Sequence, residues 1–215
     1  MFKKLFFTAL FGVFAVSLFA QKENFKLGVR VGVSTTDIEA DDLLITNADA
    51  MENLRLGIAE ANYGYHLGLF AQMRKKHFFV QPEVLFNSNS VDFKVTDLSS
   101  PESSPQILRE KYQYLDVPLM LGLKFGALRL QGGPVGHVFL NSSSELIDVA
   151  GYEEKFDEFT YGWQAGIGID FWQFVIDVKY EGNFQNFGNH IVIDGQNYEF
   201  DQSPSRFVAT LGIDF

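Results

Sequence analysis

Hydrophobic and polar residues alternate with a period of two in about eight stretches of this chain, the pattern of strands that show one face to an apolar phase. In 25–34, Phe25, Leu27, Val29, Val31 and Val33 share one face, with Lys26, Gly28, Arg30, Gly32 and Ser34 on the other. The stretch 159–171 repeats the pattern: Phe159, Tyr161, Trp163, Ala165, Ile167, Ile169 and Phe171 alternate with Thr160, Gly162, Gln164, Gly166, Gly168 and Asp170. The chain ends the same way, with Phe207, Ala209, Leu211, Ile213 and Phe215 opposite Arg206, Val208, Thr210, Gly212 and Asp214.

The stretches 63–73, 78–88, 114–125 and 174–184 alternate with small lapses. The stretch 128–141 is the weakest, because Gly132, Gly133, Pro134 and Gly136 blur its period. These glycines lack the Lys-Ser/Thr ending and the following helix of a phosphate loop, so they are expected to form a bulge or bend.

The connections alternate in length. Short ones are expected at 74–77, 126–127 and 172–173, and long ones at 35–62, 89–113, 142–158 and 185–205. Short turns at one rim and long loops at the other predict an all-β fold, an eight-stranded antiparallel up-and-down transmembrane β-barrel. An even strand number puts both ends of the barrel on the short-turn side.

A soluble lipocalin-type barrel also alternates, with its apolar face inward. Eight strands leave an interior only just wide enough for side chains to fill, and the apolar faces here carry more bulk than that. The opposite faces carry Gly28, Gly32, Gly64, Gly68, Gly122, Gly162, Gly166, Gly168 and Gly212. Glycine weakens a water-facing strand with no packing return; inside a narrow barrel it makes room for charged neighbours. The apolar face is therefore expected to meet lipid. Tyr63, Tyr65, Phe86, Phe159, Tyr161, Trp163, Phe184 and Phe207 would form an outer aromatic girdle, and Phe78, Phe125, Phe171, Phe174 and Phe215 an inner one.

Composition refines this picture. Lys3 and Lys4, an apolar run from 5 to 19 and Ala20 read as a cleaved signal peptide over 1–20, with the barrel domain over 21–215. The chain has no cysteine, so no disulfide braces it. The formal charge is −10, and loss of Lys3 and Lys4 makes the remainder still more acidic. That balance argues against a nucleic-acid partner.

Inward-facing ionisable residues are expected at Lys26, Arg30, Glu83, Asp116, Lys124, Asp170, Asp177, Lys179, Glu181, Arg206 and Asp214. They read either as a selective pore or as a plug of paired charges, and interleaving of the two signs favours the plug. His66 and His137 point inward in the outer half; His77 falls in a basic turn and His190 in a loop. No nucleophile, base and orienter are recognisable together, so no catalytic residue is assigned, and no metal or cofactor is expected. The loops are acidic: Asp37, Glu39, Asp41, Asp42, Asp49, Glu52 and Glu60 in the first, Glu145, Asp148, Glu153, Glu154, Asp157 and Glu158 in the third, with no calcium-loop spacing. Apolar residues at Leu43, Leu44, Ile45, Leu54, Leu56 and Ile58 suggest structure in the first loop, the best candidate for a binding surface.

The segments Phe79-Val80-Gln81-Pro82-Glu83-Val84-Leu85-Phe86 and Tyr114-Leu115-Asp116-Val117-Pro118-Leu119-Met120-Leu121 resemble the paired signatures of the PorT-like outer-membrane β-barrel family of Bacteroidetes. The opening Leu27-Gly28-Val29-Arg30-Val31-Gly32-Val33 and the closing Phe215 fit the same pattern. The resemblance implies a barrel in the cell outer membrane, in contact with its lipid and lipopolysaccharide. Its closing aromatic resembles the signal read by the barrel-assembly machinery, through Ile213 and Phe215. It also implies a second role, as an accessory of type IX protein secretion. The expectation is a non-enzymatic structural or interaction protein with a surface or secretion protein partner. The alternatives are that secretion accessory, a lipid-modifying enzyme, a narrow pore and a soluble lipocalin-like periplasmic ligand binder.

Overall fold

A computed structural model describes residues 25–37, 43–46, 52–61, 63–98, 104–145, 152–154, 158–184, 191–193, 196–198 and 205–215. The proposed signal peptide, His190 and loop acids Glu39, Asp41, Asp42, Asp49, Asp148 and Asp157 lie outside the described residues. The strands are β1 (Phe25–Asp37), β2 (Leu43–Thr46), β3 (Glu52–Ala61), β4 (Gly64–Lys75), β5 (Phe78–Asp97), β6 (Gln106–Phe125), β7 (Leu128–Ser144), β8 (Tyr152–Glu154), β9 (Phe159–Phe171), β10 (Phe174–Asn183), β11 (Ile191–Ile193), β12 (Gln196–Tyr198) and β13 (Ser205–Asp214).

Eight of these close a ring in the order β1-β4-β5-β6-β7-β9-β10-β13, with β13 returning to β1. Every pairing is antiparallel. The seam runs from Gly28 opposite Asp214 to Asp37 opposite Ser205, and the Phe215 N–H donates to the Leu27 carbonyl at 2.8 Å. Closure leaves no unpaired edge, which is how strands satisfy their backbone groups in hydrocarbon.

The alternation falls as the lipid-facing reading requires. Val29, Val31, Val33, Leu67, Leu69, Leu119, Leu121, Ile167, Ile169, Ile176, Val178 and Leu211 are exposed, while Arg30, His66, Glu83, Asp116, Arg129, Asp177, Lys179, Glu181 and Arg206 are buried. A barrel dissolved in water would show the reverse, so the lipocalin-like alternative falls. Exposed Tyr63, Tyr65, Phe159, Tyr161, Trp163, Phe184 and Phe207 ring the loop end; Phe78, Phe125, Phe171, Trp172, Phe174 and Phe215 ring the other. Phe86 also faces outward but is only half-buried.

Three two-residue turns join β4 to β5, β6 to β7 and β9 to β10, each with a left-handed residue: Lys76 (φ 57°), Gly126 (φ 60°) and Trp172 (φ 58°). The lumen-facing glycines answer a demand for space. A Cβ on Gly28 would stand 2.3 Å from the Phe70 ring, and one on Gly168 2.2 Å from Asp177 Oδ1.

Two expectations need correction. Residues 89–113 are not a long loop: β5 and β6 run on as 20-residue strands, paired from Phe78↔Leu123 to Val95↔Gln106. A spanning strand needs only about 9–11 residues, so this ribbon projects beyond the membrane. Of the bulge or bend expected at 132–136, the bulge is absent, since β7 keeps one register with β9 from Leu128↔Ile169 to Val138↔Phe159. The irregularity lies higher, where Tyr114 faces Phe139 but Gln113 faces Asn141.

Part of the first loop forms strands, as its apolar spacing suggested. β2 pairs with β3, and β3 pairs with β5 from Leu54↔Asp97 to Ala61↔Val91, taking over where β4 stops. Leu56, Val91, Phe93 and Tyr112 are buried in this extension. The strands β8, β11 and β12, from the third and fourth loops, form a separate small sheet.

Candidate functional site

The most elaborate chemistry of the chain fills the lumen. Period two, with one face committed to lipid, aims every second side chain of eight strands into one narrow space, where a charge persists mainly when paired.

Near the short-turn rim, Lys26 bonds Asp214, and Lys124 bonds Asp170. Arg129 Nε lies 2.6 Å from Asp170 Oδ1, and its Nη2 donates to Asp177 Oδ1 at 2.7 Å. Phe70 and Phe79 pack here beneath the guanidinium groups, Arg30 4.4 Å above the Phe70 ring centre and Arg129 5.6 Å above that of Phe79, distances at which the ring faces attract a cation.

At mid-height, Arg30 Nη1 donates to Glu83 Oε1 at 2.7 Å, and its Nη2 lies 3.4 Å from Asp177 Oδ2. Lys179 reaches Glu83 Oε2 at 3.3 Å. Gln81 donates to Glu83 and Gln131 to Asp177, at 2.8 and 2.7 Å. Arg30, Glu83, Arg129, Asp177 and Lys179 are each at most 1% exposed, so a sphere the size of water barely touches this layer.

In the outer half, Arg206 bridges Asp116 at 2.8 Å and Glu181 at 2.6 Å. His137 Nδ1 stands 2.7 Å from Asp116 Oδ1, and its Nε2 3.8 Å from Glu181. Asn87 and Gln164 donate to Asp116 and Glu181. His66 Nε2 sits 3.1 Å from the Thr210 hydroxyl. At the mouth the Tyr112 hydroxyl donates to buried Glu110 at 2.8 Å.

All eleven ionisable residues expected inside are found in this ladder. Six cations (Lys26, Arg30, Lys124, Arg129, Lys179, Arg206) face six carboxylates (Glu83, Asp116, Asp170, Asp177, Glu181, Asp214). The sequence reading missed Arg129, although Leu128-Arg129-Leu130-Gln131 alternates cleanly; the glycines just beyond masked that signal. It also missed Glu110 and Tyr112, because their segment was read as loop. His66 and His137 do point inward, but each has its own partner. His77 lies at the short-turn rim, stacked on Phe125 with ring centres 5.6 Å apart. Among the described residues, no three His, Asp or Glu side chains are grouped so as to hold a metal ion.

An inverted barrel with an apolar belt, aromatic girdles and a paired ionic interior is an integral membrane protein of the outer-membrane type. The chain belongs to the outer membrane protein beta-barrel domain family, whose profile matches residues 19–189. It is a small barrel of the cell outer membrane. Among solved structures it resembles the outer membrane protein AlkL, at 13% identity over 91% of this chain and 92% of that one, with a TM-score of 0.50. It also resembles Ail, the attachment invasion locus protein of Yersinia pestis, at 12% identity over 90% and 100%, with a TM-score of 0.41. At such identities the likeness concerns the fold. No curated protein matches the chain in sequence.

Proposed function

We propose that this barrel is a non-conducting, non-enzymatic anchor that presents a surface sheet for interaction with other macromolecules. The observation that carries the reading is a contrast between its two ends. The short-turn rim is trimmed to two-residue turns, whereas at the other rim β5 and β6 run on and recruit β2 and β3 into a sheet with its own buried Leu56, Val91 and Phe93. An extension of this size is unnecessary for spanning. The interior supports the same reading, since its charges are mutually engaged instead of lining an open path. His66 and His137 act in this reading as members of the plug, so His66→Ala and His137→Ala leave the lipid A chemistry of the host membrane unchanged.

Removal of 43–61 behind a short turn tests the reading in cells. It should abolish surface cross-links made by the chain while the barrel still shifts its gel mobility on heating. Unchanged cross-links in the deletion overturn it.

A second reading, an accessory role in type IX secretion, is favoured by the PorT-like motifs. The two segments pair directly, from Val80↔Leu121 to Phe86↔Leu115, and supply Gln81, Glu83 and Asp116 to the ladder. Normal export of surface enzymes by a strain lacking the chain counts against it. Recognition by the barrel-assembly machinery through Ile213 and Phe215 belongs with either reading; both residues are exposed on the lipid face of the seam.

A further inference from the structure

Proline has no N–H to give to a sheet, and within sheets it is confined to edges, strand starts and bulges. A closed barrel has no edge. Three neighbouring strands of this one nevertheless carry a proline inside the apolar belt: Pro82 in β5, Pro118 in β6 and Pro134 in β7.

The pairing breaks at each of them. Between β4 and β5 it stops at Phe70↔Glu83 and resumes at Met73↔Val80. Between β5 and β6 it stops at Pro82↔Leu119 and resumes at Leu85↔Asp116. Between β6 and β7 it stops at Pro118↔Val135 and resumes at Leu121↔Gly132. The register is the same on both sides of every break, so no strand has slipped. What is missing is a donor. On the broken side Pro82 faces Ala71, Pro118 faces Glu83 and Pro134 faces Leu119, and the ladder gives those three carbonyls no N–H. The breaks share one height, because Pro82, Leu119 and Pro134 follow one another across β5, β6 and β7. The rest of the ring, from β7 through β9, β10, β13 and β1 to β4, pairs without interruption.

Hydrocarbon offers no water to replace the lost bonds. What ties these strands together at this height lies in the lumen. Where the Gln72 and Gln81 rung is missing from the β4–β5 ladder, the two side chains bond instead, Gln72 Nε2 donating to Gln81 Oε1 at 2.8 Å. Arg129 on β7 donates to the same oxygen at 3.2 Å, passing in front of β6. Glu83 is held by Arg30 from β1 and by Lys179 from β10, and Gln81 Nε2 donates to it at 2.8 Å. Gln72, Gln81, Glu83 and Arg129 are all buried.

We propose that the three breaks form a latched seam, a stretch of wall from β4 to β7 that opens locally within the folded barrel and is held shut from inside by Gln81 and Glu83. The ionic plug is thus the fastening of its own wall as well as the filling of the lumen. The middle of the seam lies between β5 and β6, the strands that run on into the surface extension, so it sits in the stem of that extension.

Hydrogen exchange of the full chain in phosphatidylcholine vesicles, read peptide by peptide by mass spectrometry, tests the seam. When the native chain is warmed below its unfolding temperature, segments 69–73, 81–85 and 117–121 should exchange first, while 163–169 and 174–180 stay protected. Glu83→Gln keeps the shape and removes the charge. It should speed exchange in the three seam segments about tenfold or more and leave the β9 and β10 segments within about twofold of native, the mark of a local opening. P82V/P118V/P134V restores the absent donors, and in the Glu83→Gln background it should return the seam to the native rate. Each variant is first shown to shift in gel mobility on heating, and the warming series on the native chain needs no variant. Exchange of β9 and β10 with or before the seam, an even acceleration around the ring in Glu83→Gln, or no slowing by the three valines overturns the proposal.

Discussion

Arg30 Nη1 donates a 2.7 Å hydrogen bond to Glu83 Oε1, although the residues are 53 positions apart and β4 runs between their strands. The bond therefore passes in front of β4 inside the lumen and ties β1 to β5. Lys179, from the opposite side of the ring, joins the same carboxylate.

That convergence makes Glu83 the residue whose loss costs most. Glu83→Ala leaves two buried cations short of an anion and should destabilise the barrel by about 3–5 kcal/mol. Urea unfolding in vesicles, followed by the fluorescence of Trp163 and Trp172, reads the change. Arg30→Met added to Glu83→Ala should cost less than the two single effects combined, because it removes one stranded charge. Strict additivity would show that the pair is uncoupled.

The lipid-facing assignment makes the cost of a charge depend on depth. Ile167→Arg, well inside the apolar belt, should cost roughly 2–4 kcal/mol, and Phe159→Arg, at the outer girdle, about 0–1 kcal/mol. The same unfolding measurement compares them. Equal costs would contradict the placement of the belt.

Two glycines should respond to substitution for different reasons. Gly126 has φ 60° and nothing within 4 Å of an added Cβ, so Gly126→Ala incurs only the left-handed backbone penalty, about 1–2 kcal/mol. At Gly168 the added atoms meet Asp177 and Arg129, and Gly168→Val should cost roughly 1–3 kcal/mol by crowding the plug. Gly126→Asn should recover part of the first loss, since Asn tolerates that conformation, while Gly168→Asn should recover none of the second. Unfolding midpoints distinguish the cases.

A plugged interior predicts no unitary conductance. The native chain in planar bilayers should give no discrete current steps. Steps from the native chain would show that the ladder opens and would replace the anchor reading with a pore.

Particular elements show how much could be read in advance. The strand 159–171 was legible to the residue, because alternation, aromatic ends and a short turn all agree there. Arg129 was equally periodic yet overlooked beside Gly132 and Gly133, whose lack of side chains erases the pattern just where the strand continues. Glu110 and Tyr112 were hidden for another reason. Beyond the membrane both faces of the β5–β6 ribbon are polar in places, so the lipid no longer enforces alternation and a strand resembles a loop.

The sequence by itself determined the inverted barrel, since contact with lipid dictates one face of every spanning strand and closure of the ring is the only way to satisfy its backbone. It also determined, for eleven ionisable residues of the spanning strands, that they enter the lumen. Only the tertiary structure decided which cation meets which carboxylate. Arg30 could face any anion at its height, and its partner depends on the stagger of eight strands around the ring, a property of closure that no local stretch encodes. The surface extension was decided in the same way, because β3 finds β5 only once β4 has ended and left that edge of the ribbon free.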